Sequence, residues 1–173
     1  DGYVDIVKKH FRENPDTDVI IFNLLEKNKR MYVIKKKFRV RYWNFMRFGA
    51  ARLVFKTRSI TKHGLFFNLH FGGGAEYSAG EDTLFLYDCL KHGLKIIAVP
   101  DAIAILTNDR GSSWFEGYTD KYFYDKGVLF AAMSKRWSKL LCLQFAIRRR
   151  KLFEKEKTWY EAYKLMLKGL EDF

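Results

Sequence analysis

Residues 71–99 read FGGGAEYSAGEDTLFLYDCLKHGLKIIAV. The run opens on a glycine-rich loop, Phe71-Gly72-Gly73-Gly74 through Ala79-Gly80, and passes into a helix predicted over Glu81 to His92. Acids in a first helical turn are favoured by the helix dipole and the free N–H groups there, by about 0.3–1 kcal/mol. Gly93 ends the helix, and Leu94 to Val99 is apolar enough for a strand. Loop, helix and strand in this order point to the α/β class.

Upstream, Asp1 to Glu13 reads as an amphipathic helix capped by Asp1, with Tyr3, Ile6, Val7 and Phe11 on one stripe. Asn14-Pro15-Asp16 stops it. Asp18 to Leu25 (DVIIFNLL) is a continuous apolar run that suits a strand covered on both faces. Met31 to Ile34 reads as an edge strand, Ala51 to Lys56 as a further strand, and Arg58 to His63 as a short helix closed by Gly64. Downstream, Ile103 to Leu106 reads as another strand. Helices follow over Thr119 to Met133, Lys135 to Phe153 and Thr158 to Leu170. Residues 1–133 are thus expected to form a mixed sheet with flanking helices, and 134–173 a basic, amphipathic helical tail.

Composition excludes several classes. Among 173 residues, 48% are hydrophobic and 17% aromatic, too many for a disordered chain. No apolar stretch reaches the ~18 residues of a membrane span, and no signal peptide is visible. Cys89 and Cys142 form no CxxC pair, and the four histidines lack ligand spacing. A structural zinc or disulfide framework is not expected, no metal ligands are assigned, and a reducing compartment is favoured. The chain starts without Met inside a predicted helix, as a piece of a longer protein would.

The formal net charge is +12, and Lys27 to Lys62 holds thirteen Lys or Arg and no acid. Such stripes attract nucleic acid, acidic lipid head groups or phosphorylated substrates, or are simply solvated. Tyr32, Phe38, Tyr42 and Trp43, interleaved with these cations, suit stacking on single-stranded nucleic acid. A basic nucleic-acid-binding module is therefore an alternative.

Helical spacing separates the two acids of residues 81–82. Asp82 shares a face with Phe85, Leu86 and Cys89, whereas Glu81 lines up with Asp88 and His92 on a wetter face. An acid heading an apolar stripe projects toward a core or a cleft, where it can serve as a general base. A first-turn acid without any function has the same sequence.

At this point a resemblance becomes specific. Arg52-Leu53-Val54-Phe55-Lys56, Leu65-Phe66-Phe67-Asn68, Gly80-Glu81-Asp82-Thr83, His92-Gly93-Leu94-Lys95-Ile96 and Val99-Pro100-Asp101-Ala102 follow one another as in the acceptor half of family 2 (GT-A fold) glycosyltransferases. The opening GYVDIVKKHFRENPDTDVIIF also resembles that family, so the likeness covers about residues 1–130. It implies a partial GT-A-like mixed sheet and inverting transfer from a nucleotide-sugar donor to a glycan or lipid-linked acceptor. Asp82 matches the catalytic base, an assistance worth about 10²–10⁴-fold. A divalent metal, Mg or Mn, held by an Asp-x-Asp motif is implied for the full-length enzyme. Here that motif is not in its expected place. Asp16-Thr17-Asp18 has the letters but reads as a turn, so this fragment alone is expected to be inactive and to bind no metal. A bacterial surface polysaccharide or wall glycan is the role that similar proteins suggest, at a cytoplasmic site or peripherally at the inner membrane face. A non-catalytic interaction domain derived from the same fold is the other alternative.

Two loops could add contacts. Arg110, Ser112 and Ser113 are candidates to hold the diphosphate, since Arg grips phosphate in a bidentate manner, and Trp114 to stack on a sugar. Glu81, Glu76 and Tyr77 are further candidate acceptor contacts, although Gly72-Gly73-Gly74 also reads as a simple mobile loop. In the tail, Trp137, Leu140, Leu141 and Phe145 fall at helical spacing before Arg148-Arg149-Arg150-Lys151. That pattern suits either packing onto the domain or an anionic membrane surface.

Overall fold

A computed structural model describes residues 2–26, 32–106, 115 and 117–173. These residues form a mixed α/β structure with a four-stranded sheet and six α-helices. The chain divides into two compact units, Asp1–Phe67 with Phe85–Arg110, and Asn68–Leu84 with Gly111–Phe173. Within the second unit the helix Asp120–Met133 packs against the two helices that follow it.

The first unit holds the sheet. Its strands are β1 (Val19–Glu26), β2 (Phe38–Arg39), β3 (Leu53–Phe55) and β4 (Ile96–Leu106), in the order β2-β4-β1-β3. β1 runs parallel to β4, and the two outer pairings are antiparallel. Val19 to Phe22 are fully buried, as continuous apolar residues in a central strand should be. Helix α1 (Gly2–Glu13) lays Ile6, Val7 and Phe11 on Ile20, Phe22 and Val99. Tyr3, expected on the same stripe, is exposed, because that core cluster reaches only to Ile6.

One buried side chain explains two departures from the sequence expectations. Asn23 donates to the carbonyls of Ile34 (2.9 Å) and Pro100 (2.8 Å) and accepts from Ile34 N (2.9 Å) and Arg52 Nη2 (2.9 Å). All four hydrogen-bonding positions of the amide are used. Ile34 therefore finds its backbone partners on a side chain, and residues 32–34 form no strand, contrary to expectation. Leu94 to Val99 and Ile103 to Leu106, expected as two strands, are one strand from Ile96. Its register against β1 slips between Ala98 and Ala102, and the bulge leaves the Pro100 carbonyl for Asn23.

Arg52 is only 2% exposed. It belongs to a 3-10 turn, Ala50–Arg52, that delays β3 to Leu53. From there its Nε and Nη1 donate to Phe22 O (2.7 Å) and Tyr32 O (2.8 Å). Helices α2 (Thr57–Lys62) and α3 (Glu81–Lys91) follow. α3 closes on Gly93, whose φ of 77° is the left-handed conformation glycine adopts most readily.

In the second unit, α4 (Asp120–Met133) starts at Thr119, whose side chain accepts from Tyr122 N. α5 (Ser138–Phe153) is followed by α6 (Trp159–Glu171), which opens with a capping box between Thr158 and Glu161. Glycines bring α4 and α6 close: a Cβ on Gly127 would stand 1.9 Å from Met166 O, and one on Gly169 2.1 Å from Tyr124 O. α5 buries Ser138, Cys142, Ala146 and Phe153. The expected stripe is corrected here, since Trp137 and Leu140 are 54% and 56% exposed and Leu141 and Phe145 half-buried. The small residues 138, 142 and 146 form the inward face because they permit the closer approach.

Candidate functional site

The glycine loop and the first turn of α3 belong to the second unit, where α4 fixes the loop. Asp125, buried on α4, accepts from Ser78 N (2.9 Å) and Ser78 Oγ (2.8 Å). Lys121, one helical turn earlier, donates to both Asp125 oxygens and to the Glu76 carbonyl at 2.9–3.0 Å. Gly80 lies against Leu129 so tightly that a Cβ there would meet its Cδ1 at 2.8 Å. Within the loop, Gly72 N donates to Tyr77 O and Tyr77 N to His70 O, and the Phe71 and Tyr77 rings are 4.9 Å apart. These contacts tie the loop to α4.

The two acids at the head of α3 have different surroundings. Glu81 turns back over the loop: its Oε2 accepts from Gly80 N (3.0 Å), and its carboxyl covers Gly72. Asp82 is half-buried, and its Oδ1 accepts from Thr83 N at 2.6 Å and, at 3.4 Å, from Thr83 Oγ1. Burial pushes the Asp82 carboxyl above the ordinary carboxylate value, and the neighbouring Glu81 charge adds to the rise. The bonds from Thr83 and the Lys126 ammonium oppose it. Lys126 lies on α4, where burial pushes its own pKa down while Asp82 and Asp125 push it up. It also lies over the rings of Tyr122 (5.6 Å) and Phe145 (5.7 Å). A carboxylate that binds its proton more tightly than usual is the stronger base, and the Lys126 charge partly offsets that rise.

Of the other candidates, Tyr77 is half-buried in the loop and Glu76 is exposed, 3.5 Å from His70 Nδ1. Arg110, Ser112, Ser113 and Trp114 lie outside the described residues. Sequence reasoning missed Ser78, Asp125 and Lys126; the Lys121/Asp125 spacing of four was the available signal.

Asp16-Thr17-Asp18 is committed to structure. Asp18 accepts from Ser59 Oγ (2.7 Å) and Lys95 N (2.8 Å), and Asp16 lies 3.4 Å from Lys95 Nζ. Among the described residues, no group of three or more His, Cys, Asp or Glu could hold a metal ion.

In the first unit a cleft is lined by Arg39, Arg41, Tyr42, Trp43, Leu90 and Leu94. It contains none of the expected site residues. Trp43 is 75% exposed with the Arg41 guanidinium 5.5 Å from its ring centre, whereas Tyr32 lies under Arg47 and Phe38 beside Phe48. No helix among the described residues is long and apolar enough to cross a membrane. No family model matches the chain, and no curated protein matches it.

Proposed function

We propose that this chain is the acceptor-side portion of an inverting, family 2-like glycosyltransferase with a partial GT-A-like sheet, and that Asp82 is its general base. The observation that supports this reading is the setting of Asp82: a half-buried carboxyl with raised proton affinity, in the first turn after a glycine loop that hydrogen-bonds to α4. In the reaction, Asp82 takes the proton of an acceptor hydroxyl while that oxygen bonds to the anomeric carbon of a nucleotide sugar. The bond from that carbon to the diphosphate breaks, and the nucleoside diphosphate leaves with the electron pair. Glu81, Glu76, Tyr77 and Trp114 are the proposed acceptor contacts, and Arg110, Ser112 and Ser113 the proposed diphosphate contacts. Glu81 acts on Asp82 through its charge and on the loop through Gly80. The divalent metal, Mg or Mn, that the resemblance implies for the full-length enzyme would neutralise the charge of the departing diphosphate. A role in bacterial surface polysaccharide or wall glycan synthesis, inside the cell or at its membrane, rests on the resemblance alone.

The test is a screen of nucleotide sugars against the full-length protein, read by nucleoside diphosphate release with and without glycan and lipid-linked acceptors. Donor-specific, acceptor-stimulated release supports the reading. Binding without turnover across the panel favours a non-catalytic interaction domain. A second reading rests on Trp43 and Arg41: an exposed ring beside a guanidinium suits single-stranded nucleic acid. It requires binding that weakens steeply with salt.

A further inference from the structure

From the exposed face of α5 we infer that this helix is a docking surface for an anionic lipid bilayer. Its inward face is settled by Ser138, Cys142, Ala146 and Phe153. At 100° per residue, Trp137, Leu140, Ile147, Arg148 and Lys151 fall together on a different sector. All five are exposed. Three apolar side chains, one of them Trp, thus share an exposed strip with two cations, and Arg149 and Arg150 are exposed elsewhere on the same helix.

Charge complementarity selects the occupant. Residues 135–153 contain seven Lys or Arg and no acid. A helix that carries cations beside Trp and Leu lies in the head-group region with its apolar residues at the acyl boundary. Each Lys or Arg near such a surface strengthens binding about fivefold. Nucleic acid would use the cations, but Leu140 and Ile147 offer its bases nothing to stack on. This inference is independent of the glycosyltransferase reading, since it needs neither donor nor acceptor.

The test uses the full-length protein with vesicles of phosphatidylcholine alone or mixed with phosphatidylglycerol, read by co-sedimentation. The wild type is expected to bind the anionic vesicles at least about tenfold more tightly. The triple variant W137S/L140S/I147S and the quadruple variant R148Q/R149Q/R150Q/K151Q should each lose at least about tenfold, with helical circular dichroism and melting temperature unchanged. Because every substituted residue is exposed, each set checks the other if one variant misfolds. Equal binding to both vesicle types, or a triple variant that binds like wild type, overturns the proposal. So does retention on single-stranded RNA without vesicle binding, or a dimer in light scattering that the triple variant abolishes while vesicle binding is absent throughout.

Discussion

The carboxylate of Asp125 accepts both the backbone N–H and the hydroxyl of Ser78, at 2.9 and 2.8 Å, across forty-seven residues of sequence. This contact holds the glycine loop to α4, next to the helical turn that carries Lys126. Loop position and the Lys126 charge that acts on Asp82 therefore both depend on one helix.

Removing that acceptor has a predictable cost. Asp125→Ala leaves Ser78 N–H and the Lys121 ammonium without their shared partner, which should destabilise the protein by about 1–3 kcal/mol. Urea unfolding measures the loss, and limited proteolysis should cut within residues 72–80 in the variant before it cuts the wild type. An unchanged midpoint and cleavage pattern would contradict the pinned loop.

Gly127→Ala is expected to act against helix propensity. In an open helix the exchange stabilises by about 1 kcal/mol. Here the new methyl would stand 1.9 Å from Met166 O, so a loss of about 1–3 kcal/mol or more is expected. A melting temperature that rises would show that α4 and α6 are not in this close contact.

Cys89 and Cys142 are fully buried, and burial pushes both thiols up to about 12. Thiolate is the reactive species, so neither should react rapidly with a thiol reagent at pH 8 in the native protein. Both should do so in denaturant. A fast native phase from either cysteine would contradict its burial.

Asp82 gives stability a definite pH dependence. Its folded pKa lies above the unfolded value of 3.8, so between those two values the folded state holds more proton than the unfolded chain. Its contribution is full below 3.8 and declines as pH rises through the folded pKa. Relative to wild type, Asp82→Asn should therefore gain stability from pH 3.5 to pH 8. Urea midpoints over that range check the sign, and a relative loss would show that Asp82 is not desolvated.

The sequence made local features legible and left distant ones hidden. Thr119 and the Thr158/Glu161 pair announce their helices through residues three positions apart, and Gly93 marks the end of α3 by its missing side chain. The network of Asn23, Arg52, Ile34 and Pro100 joins residues up to seventy-seven positions apart. No periodicity announces it, and it decides where β3 and β4 form. α5 misled because apolar residues occur around most of its circumference, so Ser138, Cys142 and Ala146 competed with larger side chains for the inward face. Asp82 was legible as heading an apolar stripe. Its cation, Lys126, was not, because it comes from another helix.

The most direct measurement compares sugar transfer by the full-length wild type, Asp82→Asn and Glu81→Gln at saturating donor. If Asp82 removes the acceptor proton, its variant loses about 10²–10⁴-fold in kcat while donor affinity stays within about twofold, and Glu81→Gln keeps more of the rate. An Asp82→Asn enzyme that turns over at the wild-type rate would contradict the account.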